Sequence, residues 1–96
     1  MEKQYVIAIK RIRDYYDKEP IERWEFAQYD EHAGSFSSGY PVFGPEHYAI
    51  TFDSIEFAET WWKRNSQYIY YNNNYDLSTL NVYERTYQKV KVLKEV

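Results

Sequence analysis

The chain has 96 residues, a formal net charge of -3 and no cysteine. That length suits one domain, spanning residues 1–96, with no room for a second of ordinary size. The missing cysteines exclude a disulfide framework and a thiolate metal site, and the acidic balance argues against a general grip on nucleic-acid backbone, which needs a basic stripe.

No apolar run reaches the roughly 20 residues needed to cross a bilayer. The start, Met1 to Tyr5, enters a strand-like pattern directly, without the basic, apolar and small-residue parts of a leader. The expectation is an intracellular, cytoplasmic protein with no membrane association. Charge is uneven along the chain. Lys3, Lys10, Arg11 and Arg13 make the start basic; from Asp14 to Glu31 seven acidic residues face Lys18 and Arg23; Arg85, Lys89, Lys91 and Lys94 make the end basic. Such a pattern can orient a partner or simply solvate strand faces. Aromatic content stands out: twelve Tyr, five Phe and three Trp make 21% of the chain, and Gly and Pro number only three each, so this is not a disordered composition.

Residues 4–13 read as a first strand, rich in β-branched side chains. Val6, Ala8, Lys10 and Ile12 share one face; Tyr5, Ile7, Ile9 and Arg11 share the other. Residues 14–20 form a polar connection. Residues 21–29 read as a second strand, with Trp24 and Phe26 on one face and Arg23, Glu25 and Ala27 on the other. A hairpin pairs the two economically. Residues 30–46 hold all three glycines and two of the three prolines, which marks a long loop. Residues 47–52 read as a third strand.

Asp53 and Ser54 can each cap a helix, and capping at Asp53 sets Glu56 three residues later as in a capping box. Ile55, Ala58 and Trp62 follow at helical spacing, and Lys63 and Arg64 suit the helix C-terminus. The helix is expected over 54–65, with Ile55, Phe57, Trp61 and Trp62 supplying its side of the core. Tyr68 to Tyr71 could be a short strand entering a turn at Asn72, Asn73 and Asn74, since Asn tolerates left-handed backbone. Residues 77–94 fit a long bent strand or a hairpin. The predicted order is β-β-loop-β-α-β(-β). It describes an α+β fold: a mostly antiparallel sheet of four to five strands with one helix packed on a face.

No motif for catalysis, phosphate or metal binding is present. His32 and His47 lack a metal-binding spacing. Glu22 and Glu25 fall on opposite strand faces, which spoils them as an acid–base pair. The expectation is a non-enzymatic protein with no cofactor. Two aromatic segments then compete for a binding role: Tyr15 and Tyr16 beside Asp17 in the first connection, and Tyr68, Tyr70, Tyr71 and Tyr75 around the Asn turn. Tyrosine buries large area yet keeps a polar handle, so it is enriched at contact sites. The same tyrosines could instead cover a sheet edge. Tyr5, Lys10, Arg11 and Arg13 with Arg85 and Lys89 are the residues that a single-stranded nucleic-acid platform would use, by stacking and charge; a nucleotide-binding sponge would stack its tyrosines on bases.

The run Tyr5 to Asp14, then Pro20-Ile-Glu-Arg-Trp-Glu25, then the step from Phe52 to Trp62, resembles small uncharacterised proteins of temperate phages of Gram-positive bacteria. The resemblance covers most of the chain and brings no catalytic residues. It implies a modulator or inhibitor of a host protein, such as a defence factor, working in the host cytoplasm. The last strand could also pair across a two-fold axis to make a homodimer.

Overall fold

The computed structural model describes residues 3–13, 20–30, 40–69, 71 and 73–85. Four strands, β1 (Gln4–Arg13), β2 (Pro20–Asp30), β3 (Tyr40–Gly44) and β4 (Tyr75–Arg85), form one antiparallel sheet in the order β3-β2-β1-β4. One helix, α1 (Ile55–Asn65), packs on one face of it. This is the expected α+β fold.

β1 lies centrally, and Val6, Ile7, Ala8 and Ile9 are buried in succession, so both faces of this strand are covered. On the helix face, Ile7, Ala27, Phe52 and Ala58 form the core, joined by Trp61, Trp62, Phe43, Leu80 and Val82. Ala58 is fully buried and has only a methyl group, which lets α1 approach the sheet closely.

The third strand is corrected by the structure. Residues 47–52 do not make one; the strand lies earlier, at Tyr40–Gly44, inside the segment expected to be loop. Pro41 and Gly44 look like breakers, yet β3 is an edge strand, where a missing N–H is tolerated. After Pro45 the chain makes a 3-10 turn at Glu46–Tyr48, with the Ala49 amide donating to the Glu46 carbonyl at 3.0 Å. Ile50 to Phe52 then fill a fork. β1 and β2 are paired from Ala8 and Phe26 to Arg13 and Pro20. Past Ala8 and Phe26 they part. There the Ile50 amide donates to Ala27 (3.0 Å), while Tyr5 and Phe52 exchange bonds of 2.9 and 2.8 Å.

Ser54, not Asp53, caps α1: its Oγ accepts from the Phe57 amide at 3.1 Å, so the capping box built on Asp53 does not form. The helix spans the expected residues to within one. Its inward stripe is Ala58, Trp61 and Trp62. Phe57 falls off that stripe and is 63% exposed; Ile55 sits at its margin and is 45% exposed, so neither supplies the core as expected. The chain leaves α1 through a 3-10 turn at Ser66–Tyr68 rather than a strand at Tyr68. β4 bends sharply. Against Ala8 to Lys10 it runs from Asn81 back to Asp76, an irregularity in which Thr79 Oγ1 accepts the Lys10 amide at 2.8 Å.

Candidate interaction surfaces

The tyrosines singled out in the sequence divide. Tyr15, Tyr16, Asp17 and Tyr70 lie outside the described residues. Tyr68 is 42% exposed at the end of its 3-10 turn. Tyr71 and Tyr75 turn inward, against Phe43 at ring separations of 6.1 and 5.8 Å, and Tyr71 also meets Trp62 at 6.2 Å.

The Tyr75 hydroxyl is a structural junction. It donates to Glu25 Oε2 at 2.6 Å and accepts from Arg11 Nη1 at 3.1 Å. Glu25 Oε1 accepts from Arg23 at 3.2 Å and Arg11 at 3.5 Å. Glu25 is only 6% exposed, so its charge needs all of these donors. The Arg11 guanidinium also lies over the Tyr75 ring, 5.3 Å from its centre. Burial, and then the Glu25 carboxylate, push the Tyr75 phenol up to about 12. At neutral pH it is therefore a proton donor fastening β1, β2 and β4, not a nucleophile.

The sheet face opposite α1 carries a different aromatic group. Trp24 is 44% exposed and meets Tyr83 edge-on, with ring centres 5.3 Å apart and planes at 77°. The two come from β2 and β4, on either side of β1: Trp24 is registered opposite Lys10 and Tyr83 opposite Val6, so Ala8 lies on the diagonal between them. A small residue there leaves the two rings free to close over the central strand. They form a corner, with Phe26 and Val6, around a shallow cavity of about 320 Å³. Charged pairs stand at its margin: Lys10 with Glu22 at 3.1 Å and Arg85 with Glu46 at 3.9 Å. The alternation of β2 announced that Trp24 and Phe26 share a face. Tyr83 had no such signal, because its meeting with Trp24 depends on pairing across β1.

A second hollow, about 680 Å³, lies between α1 and β4 on the helix side. Its floor is Ile7, Leu80 and Val82, and Ile55, Glu59, Trp62 and Lys63 form the helix wall.

The bases proposed for a nucleic-acid platform do not share a face. Lys10 is on the open face, bonded to Glu22, while Arg11 points to the helix side and Glu25; Lys89 lies outside the described residues. Tyr5 packs against the core. His47 is exposed, with its ring against Tyr48; His32 lies outside the described residues. Among the described residues no group of three or more His, Cys, Asp or Glu is placed to hold a metal ion, and no helix is long and apolar enough to cross a membrane. No family model, curated protein or solved structure matches this chain.

Proposed function

We propose that this chain is a non-catalytic binding protein that occludes a surface of a protein partner, with the open sheet face as its contact. The observation that carries this reading is the exposed Trp24 in its corner with Tyr83, ringed by charged pairs. Interfaces are built this way: a large aromatic anchor at the centre, polar groups at the rim. The resemblance to phage proteins makes a host protein, such as a defence factor, the expected partner and the host cytoplasm the expected setting. The protein then acts as a modulator or inhibitor by blocking access.

Affinity capture from host lysate, followed by calorimetry on the protein captured, tests this. A stoichiometric partner whose affinity falls at least about 30-fold with Trp24→Ala, the size expected for a central anchor, supports it. No stoichiometric partner at physiological salt sinks it.

One observation favours a second reading, a nucleotide sponge: the corner offers rings for stacking, and Arg85 stands beside it. Glu46 partly neutralises that arginine, which disfavours an anionic ligand. Calorimetry across nucleotides and cyclic oligonucleotides decides the matter, and no heat of binding removes this reading.

A further inference from the structure

The two edges of the sheet are unequal. β3 is five residues long and carries Pro41 and Gly44, features that discourage pairing. β4 is eleven residues long, has no Pro, Gly or Lys, and carries no charge between Asp76 and Glu84. Among the described residues nothing pairs with its outer edge. The bend over residues 77–80 protects its first half, because irregular backbone there cannot receive a straight strand. Its second half, from Asn81 to Arg85, is regular against β1, and Leu80 and Val82 set it along the hollow under α1.

We propose that this second half pairs with its own copy about a two-fold axis at Val82, giving a continuous eight-stranded sheet. A two-fold normal to a sheet sets residues of the same face opposite each other, so the axis must pass through a residue and not between two. Leu80, Val82 and Glu84 share the helix side: Leu80 and Val82 floor the hollow, and Glu84 is registered opposite the core-packed Tyr5. Asn81 and Tyr83 take the open side. With the axis at Val82, Val82 meets Val82 of the second copy. Asn81 meets Tyr83, and Glu84 meets Leu80. An axis at Leu80 would instead oppose Asp76 and Glu84, two like charges, and would engage the bend. An axis at Tyr83 would leave the two hollows apart.

Charge fits the chosen register. The C-terminal end of α1 lies over the start of β4, since Trp62 and Phe43 gather with Tyr71 and Tyr75 there. Lys63 lines the same hollow as Leu80, with Glu59 one turn earlier on the helix wall, and the Glu84 carboxylate of the second copy enters there, where Lys63 is the lining cation that can meet it. Both side chains are exposed in the single chain, so both can be changed without disturbing the core. The contact also leaves the two Trp24 corners on the same side of the joined sheet.

A charge exchange tests the pairing. Wild-type chain is expected by light scattering at twice the 11.8 kDa of one chain. Lys63→Glu alone and Glu84→Lys alone each create two like-charge contacts per dimer. Each is expected to weaken dimerisation at least about tenfold while keeping the wild-type circular-dichroism spectrum. Mixing the two variants restores both opposite-charge contacts, so the mixture is expected to form the dimer that neither forms alone. A wild-type chain that stays monomeric up to millimolar concentration overturns the proposal. A dimer indifferent to both substitutions, or a mixture no better than its parts, overturns the register. None of these outcomes depends on Trp24, so they are independent of the partner-binding reading.

Discussion

Replacing Tyr75 with Phe removes a single oxygen from the junction of β1, β2 and β4. In the wild type that oxygen supplies a 2.6 Å bond to Glu25, a carboxylate almost wholly shielded from water. The ring, its contact with Phe43 and the Arg11 guanidinium above it all remain. Hydrogen bonds to charged groups contribute roughly 1.5–3 kcal/mol, so the expected loss is about 2 kcal/mol. At about 4–8 °C per kcal/mol for a domain of this size, the melting temperature should fall by roughly 10 °C. The pH dependence gives an independent check. The folded phenol ionises at about 12 against 10.0 for the free group, so its contribution is fully present below pH 10 and is lost as pH rises towards 12. Urea melts of both proteins between pH 8 and 12 isolate it: the gap between wild type and Tyr75→Phe should be constant up to pH 10 and narrow above it. A melting temperature lowered by less than about 2 °C, with a gap that does not change with pH, would refute the junction as a stabilising element.

Three further tests probe the scaffold. Ser54→Ala removes the cap on α1 and should cost about 1 kcal/mol by chemical denaturation, whereas Asp53→Ala should change stability by less than about 0.5 kcal/mol; the reverse ranking would return the cap to Asp53. Gly44→Ala drives a methyl carbon into the Gln28 side-chain amide, so the buried Gln28 must move, and a loss of about 1–3 kcal/mol is expected. Adding Gln28→Ala should recover part of that loss, because it removes both the clash and the buried, unpartnered Oε1; a double variant no more stable than Gly44→Ala would contradict this packing. Ala58→Leu forces α1 off the sheet and should cost about 1–3 kcal/mol, read as a lowered denaturation midpoint; unchanged stability would mean that the helix does not rest on Ala58.

What could be read from the sequence was local. The step at Ser54, the spacing of Ala58, Trp61 and Trp62, and the alternation in β1 and β2 each depend on neighbours a few residues apart. They place the helix and the first two strands. Glu22 and Glu25 fall on opposite faces as their spacing implies, one exposed with Lys10 and one buried with Arg11. The errors arise where distant segments decide. His47 to Phe52 has the composition of a strand. The fork between β1 and β2 has room only for its last residues, and Pro45 begins a 3-10 turn before them. Tyr40 to Gly44 has the composition of a loop, yet the free edge of β2 recruits it into the sheet. Tyr75 looked like a contact residue beside a polar turn; its partner, Glu25, is 50 residues away in the chain. Tyr83 carries no local signal, yet it completes the corner around Trp24, which reaches it diagonally across β1.

The three indole groups offer the most direct test of the open face as a contact. Trp24 stands on that face, whereas the Trp61 indole donates to the Tyr29 hydroxyl at 2.8 Å on the helix side and serves as an internal reference. In a proton–nitrogen spectrum recorded as the captured partner is added, the Trp24 indole resonance should shift or broaden at one equivalent while that of Trp61 holds its position. Movement of Trp61 with Trp24 unchanged would contradict the account and place the contact on the other side of the sheet.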